Sequence, residues 1–340
     1  MSPPSSSPTA SRVVVITGAS AGVGRAVAQR FARAGDRLGL IARDADALED
    51  VRQEVLNFGA DAVITATADV ADAQQLFAAA EVIEAELGPV DIWINDAMET
   101  VFSPLAEMTP AEFRRVTEVT YLGFVHGTMA ALKSMRPRGS GRIVQMGSAL
   151  AYRGIPLQSA YCGAKHAIRG FTDSVRTELE HDRSGITITI VELPAVNTPQ
   201  FDWARAHLGR QPRPMGRPIE PEVAAEAVFK AAQGRWREYW LGWPTMQTII
   251  ANTLAPGLLD RYLASKAVAG QQTDQPIQPY RRDNLFKPVG PPHRTRGSFS
   301  DEAGHRAILA PGPLARAGVV ALGALAFLGL GAMIGAIGRR

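Results

Sequence analysis

From Arg12 onward, short apolar and β-branched runs alternate with longer stretches of helical periodicity. The runs fall at residues 13–16, 38–41, 62–66, 90–94, 142–146 and 186–191, with helical patterns at 23–34, 46–58, 73–87, 110–135 and 160–181 between them. A further helix over 221–232 leads to a seventh run at 239–242. Runs that are apolar throughout, rather than alternating, mark strands buried on both faces. Strand–helix alternation with right-handed crossovers then predicts an α/β fold, a doubly wound Rossmann-type seven-stranded parallel sheet. This pattern assigns residues 12–265 to one domain.

The flanks read differently. Residues 1–11 are Ser/Pro-rich without an apolar run, which predicts a disordered tail and not a secretory signal. Residues 266–315, rich in Pro, Gly, Gln and Arg, read as a linker or a surface-wrapping segment. Residues 317–338 carry no charge and lie between Arg316 and the pair Arg339 and Arg340. A helix of that length rises about 33 Å at roughly 1.5 Å per residue, against a hydrocarbon core of about 30 Å. A transmembrane helix over 316–338 is therefore expected; a buried core helix is the competing reading. The seven basic residues between Arg281 and Arg316, against three acidic ones, favour the cytoplasmic side for that stretch and for the domain before it.

Composition narrows the function classes. Hydrophobic residues at 46% and charged residues at 20% provide a large core and exclude disorder of the whole chain. One cysteine, Cys162, excludes an intramolecular disulfide framework and a cysteine-cluster zinc site; no metal site is expected. A net charge of +3, concentrated near the C-terminus, is not the profile of a nucleic-acid binder. Lysines number five against 31 arginines, so a lysine inside a motif carries weight.

The first strand runs into Thr17-Gly18-Ala19-Ser20-Ala21-Gly22-Val23-Gly24, and a helix follows. Glycines let the chain turn tightly and let backbone amides approach a phosphate at a helix N-terminus. Gly18, Ser20, Ala21, Gly22, Val23 and Gly24 are thus candidates for holding a dinucleotide. The second strand ends Ala42-Arg43. With alanine where a ribose diol would want a carboxylate, Arg43 suits a 2′-phosphate and favours NADP (NADPH) over NAD; an arginine on a solvated loop is the alternative. Asp69 and Val70 end the third strand, where Asp69 is placed to meet an adenine amino group or to cap a helix.

The fifth strand delivers Ser148, and thirteen residues later Tyr161 opens a helix with Lys165 four residues on. An i, i+4 pair shares a helix face. A free phenol titrates near 10, too high for a base at neutral pH, and a neighbouring ammonium pulls it down. Ser148 is placed to hydrogen-bond an oxygen on which charge develops. Lys165 also has the reach for ribose hydroxyls.

In this set of motifs, over about residues 12–262, the chain resembles the short-chain dehydrogenase/reductase (SDR) family, classical type. The resemblance rests on the turn at 17–24, Asp69, Asn95, Ser148, Tyr161 and Lys165. It implies hydride transfer at a nicotinamide with Tyr161 as acid/base, and a homo-oligomer. It also implies cofactor contacts from Asn95, Pro194 and Thr198. Stretches 159–172 and 193–203 resemble a bacterial subgroup, and Phe201 and Trp203 fall where a substrate lid sits in the family. Three places depart from the pattern. Asn95-Asp96-Ala97-Met98 stands for Asn-Asn-Ala-Gly, Thr120 stands for the asparagine that helps hold a proton-relay water, and Pro194-Ala195 stands for Pro-Gly. The expected function is an NADP-dependent, membrane-anchored oxidoreductase interconverting a carbonyl and a secondary alcohol, on a small-molecule substrate of lipophilic character. The alternative is a dinucleotide-binding scaffold or sensor with little turnover.

Overall fold

The computed structural model describes residues 11–318 and 321. Seven parallel strands form the sheet: β1 (Val13–Thr17), β2 (Arg37–Ala42), β3 (Ala62–Thr67), β4 (Ile92–Asn95), β5 (Ser140–Met146), β6 (Gly185–Glu192) and β7 (Glu238–Leu241). An eighth, β8 (Leu309–Pro311), pairs antiparallel with β7, Trp240 opposite Ala310. The order is β8-β7-β6-β5-β4-β1-β2-β3. The order reverses between β1 and β4, and a crevice opens there at the carboxyl ends of the strands.

β1 shows why its run is apolar throughout. Val14 and Ile16 pack into the core on one face, and Val13 and Val15 into the core on the other. The first layer is covered by α1 (Gly22–Ala32), α2 (Ala45–Asn57) and α7 (Pro221–Gln233). The second is covered by α3 (Ala73–Leu87), α5 (Gly123–Met135) and α6 (Ser159–His181) around buried Trp93, Leu76 and Ile83. Starts are capped as the side chains dictate: Asp44 accepts from Ala47 N–H on α2, and Asp72 from Gln74 and Gln75 N–H on α3.

The structure corrects three readings. The sheet has eight strands, because the chain after residue 300 returns to cover the β7 edge. The single helix expected over 110–135 is α4 (Pro110–Thr117), a π-helical turn Glu118–Leu122, and α5. The boundary at residue 265 has no counterpart in the packing. After α8 (Trp243–Leu254) and α9 (Pro256–Gly270) the chain stays on the domain: Gln272–Pro276 pairs with Arg210–Pro212, and Leu285 is fully buried. Its arginines make this segment hold to carbonyls and carboxylates of the core, as Arg281 does to Phe201, Asp202 and Ala204. Among the described residues no helix is long and apolar enough to cross a membrane. The span expected at 316–338 lies, beyond residue 318 and apart from Ala321, outside the described residues.

Candidate active site

A cavity of about 440 Å³ lies at the crevice, within the size range of small-molecule sites. The turn after β1 forms one wall through Gly18, Ser20, Ala21, Gly22 and Val23. Gly22 has φ +58°, a left-handed conformation that suits glycine. A Cβ on Gly24 would run into the Gly18 carbonyl oxygen, so α1 starts flush against the turn. The N-cap Ala21 offers no side-chain acceptor, and the first-turn Gly22 N–H meets the Arg294 carbonyl at 3.1 Å instead. Asp96 takes the Gly24 N–H from below, and burial holds its carboxyl above the usual range.

Opposite stand Ser148, Tyr161 and Lys165. Ser148 follows β5 and is nearly buried; its hydroxyl accepts from Leu150 N–H at 3.1 Å. Tyr161, in the first turn of α6, and Lys165, one turn on, line the same cavity. Burial pushes the Tyr161 phenol above its ordinary value, and its hydrogen bond with Ser148 opposes this. The Lys165 Nζ donates to Met146 O at 2.7 Å and lies 5.6 Å from the Tyr161 ring centre. Burial also holds the Lys165 ammonium below its ordinary value, against Asp96 and Glu192, whose charges raise it. The free site thus presents a protonated phenol, ready as a donor.

At the far end, Arg43 and Asp69 line the cavity, as do Val70, Pro194 and Thr198. Arg43 is not a free cation: it pairs with Glu99 and donates to the carbonyls of Asn284 (2.7 Å) and Leu285 (3.4 Å). Asp69 pairs with Arg115 at 2.5 Å. Burial pushes the Glu99 carboxyl up to about 8, against the Arg43 and Arg115 charges.

Three expected site residues, Gly24, Asn95 and Thr120, are not among the described walls. Gly24 packs the turn, as above. Asn95 is consumed in the core. Its amide donates to Gln145 (2.9 Å), Thr128 (3.3 Å) and the Phe124 carbonyl (3.4 Å), and its oxygen accepts from Trp93 (2.8 Å). Thr120 staples the 99 loop, its hydroxyl donating to Glu99 O at 2.8 Å and accepting from Glu99 N–H at 2.9 Å. It therefore holds its own loop. Phe201 and Trp203 do line the cavity, together with Met215 and, from α8 and α9, Thr248, Leu259 and Leu263. No motif pointed to these α8 and α9 residues, because only the packing of two late helices brings them there. Cys162 is buried, which pushes its thiol up.

A doubly wound sheet with an amide-lined turn facing a Ser-Tyr-Lys set defines a dinucleotide-dependent oxidoreductase. The short chain dehydrogenase family model matches residues 12–208. The chain is 32% identical to an uncharacterized oxidoreductase, YxnA, of Bacillus subtilis (strain 168), over 81% of this chain and 78% of that protein. It is 34% identical to dehydrogenase/reductase SDR family member 7B of Bos taurus, over 75% and 81%. The solved structure of an alcohol dehydrogenase from the archaeon Thermococcus sibiricus, complexed with 5-hydroxy-NADP, is 28% identical with a TM-score of 0.59, over 67% of this chain and 95% of that one. The chain belongs to the short-chain dehydrogenase/reductase family and is an oxidoreductase of that family.

Proposed function

We propose that the protein interconverts a carbonyl and a secondary alcohol with NADP(H), on a lipophilic small molecule, while held at a membrane by residues 316–338. The observation that carries the chemistry is the convergence of Ser148, Tyr161 and Lys165 on the cavity that the turn after β1 also lines. The dinucleotide suits that wall: the N-cap Ala21 brings no side chain to the start of α1, and Arg43 stands at the end of β2 where Ala42 offers no carboxylate. The relative solved with an NADP derivative supports the same cofactor. When bound, the nicotinamide supplies or accepts the hydride. Tyr161 gives its phenolic proton to the carbonyl oxygen, Ser148 donates a hydrogen bond to that oxygen, and the Lys165 charge stabilises the phenolate left behind. Leu150, Ile155, Phe201, Trp203, Leu259 and Leu263 give the cavity an apolar side that suits a lipophilic substrate.

Tyr161→Phe should cut turnover by roughly 10²- to 10⁴-fold, the ordinary share of a general acid, with NADPH affinity nearly unchanged. Substantial turnover in the purified variant would sink the assignment. Arg43→Ala should lower the preference for NADPH over NADH. One charge-assisted contact is worth roughly 1.5–3 kcal/mol, or roughly 10- to 150-fold in the ratio of the two dissociation constants. An unchanged ratio would remove Arg43 as reader of the 2′-phosphate.

A further inference from the structure

Residues 281–297 run as a strap beside the cavity and bond two residues of its wall, Gly22 and Arg43. Arg281 ties its start through bonds of 2.7–2.8 Å to three carbonyls, those of Phe201, Asp202 and Ala204. Leu285 anchors it in an apolar pocket of Val101, Met108, Val116 and Ala160. Gly297 N–H ends it on the Asn197 carbonyl at 3.0 Å.

Between these ties, strap carbonyls meet both groups that the proposed function assigns to phosphates. The Arg294 carbonyl accepts from Gly22 N–H at 3.1 Å, at the first turn of α1. The Asn284 and Leu285 carbonyls accept from Arg43, whose remaining partner is Glu99. The neighbouring His293 carbonyl takes Arg25, also on α1. A carbonyl oxygen is a neutral acceptor, and a phosphate oxygen makes a charge-assisted bond roughly twice as strong. The strap carbonyls thus occupy donors to which a phosphate oxygen would bond more strongly.

Resting on the NADP reading, we infer that the strap is an internal competitor of the dinucleotide, seated by its carbonyls on the donors of the pyrophosphate and the 2′-phosphate. Binding NADP(H) releases Arg43 and Gly22 from the strap and lifts it, and losing the cofactor reseats it. The apparent dissociation constant then exceeds the intrinsic one by the reciprocal of the open fraction, about tenfold if one molecule in ten is open.

The strap carries its own reporters, because Arg282, Arg294 and Arg296 are exposed sites for trypsin. Full-length protein is digested with no ligand, with NADP⁺ and with NAD⁺, and cuts between 281 and 297 are followed by mass spectrometry. NADP⁺ should speed strap cleavage about tenfold. In parallel, Arg281→Ala and Leu285→Ala, which remove two chemically different ties of the strap, should each tighten NADPH by about tenfold. Strap cleavage slowed or unchanged by NADP⁺, or weaker NADPH binding in both variants, would overturn the proposal and make the strap a lid over bound cofactor. If NADP⁺ and NAD⁺ speed cleavage equally and Arg43→Ala leaves their affinity ratio unchanged, competition stands at Gly22 while the 2′-phosphate reading falls.

Discussion

Glu192 shows how much one buried carboxyl shapes this site. It ends β6 fully buried, directly behind Gly147, where any side chain would meet its carboxylate. Burial and Glu238 push it from 4.5 up to about 8, and Lys165 and Arg169 oppose this. Because the folded value is raised, the folded state holds the proton more tightly than the unfolded chain. The contribution to stability is full below about 4.5 and is lost as pH rises toward 8. Glu192→Gln keeps the shape and removes the titration. Melting temperatures of the two proteins, compared from pH 5 to about 9, should diverge in favour of the variant as pH rises. Parallel curves would show that Glu192 does not titrate in this window. At this scale the convergence of Ser148, Tyr161 and Lys165 on one cavity was legible, because Tyr161 and Lys165 share one helix and Ser148 follows a strand. The partners of Arg43 and Thr120, and those of Asn95 other than Trp93, were not, because each lies more than twenty residues away in sequence.

Among the elements, β8 was invisible to pattern reading, since three residues, Leu309 to Pro311, carry no periodicity. It matters because it relieves β7 of being the sheet edge, where unpaired amides invite association. Gly242 N–H also bonds Ile308 O at 2.8 Å, and Arg316 bonds both Glu238 and Tyr152 at 2.6 Å. A chain ending at Gly304 should melt several degrees below one ending at Gly318. Each lost backbone bond is worth about 1 kcal/mol, and each kcal/mol moves the melting point by roughly 2–4 °C in a domain of this size class. Equal melting points would show that β8 merely lies on the sheet. Where α5 begins, Gly123 packs directly on Val70, which leaves no room for a side chain there.

For the molecule as a whole, the open question is the proposed anchor. Its test takes a chain that keeps β8 and Arg316 and ends at Gly318. The full-length protein should stay with membranes through carbonate and high-salt washes, because apolar burial is insensitive to both. The chain ending at Gly318 should be released, and should bind NADPH as the full-length form does. Retention of the shortened chain would place the anchor elsewhere. Loss of its NADPH binding would make the segment part of the fold.

By itself the sequence determined the doubly wound core, the turn after β1 and the Ser148, Tyr161 and Lys165 set, because these rest on local periodicity and on spacings within one strand, turn or helix. Only the tertiary structure decided which of the matching residues reach the cavity. Asn95 turns into the core to satisfy Trp93 and Gln145, and Thr120 closes on Glu99. It also decided that a Pro- and Arg-rich stretch without periodicity wraps the domain. That stretch is held by single arginines and one buried leucine on partners 77 to 242 residues away, and such contacts leave no pattern along the chain.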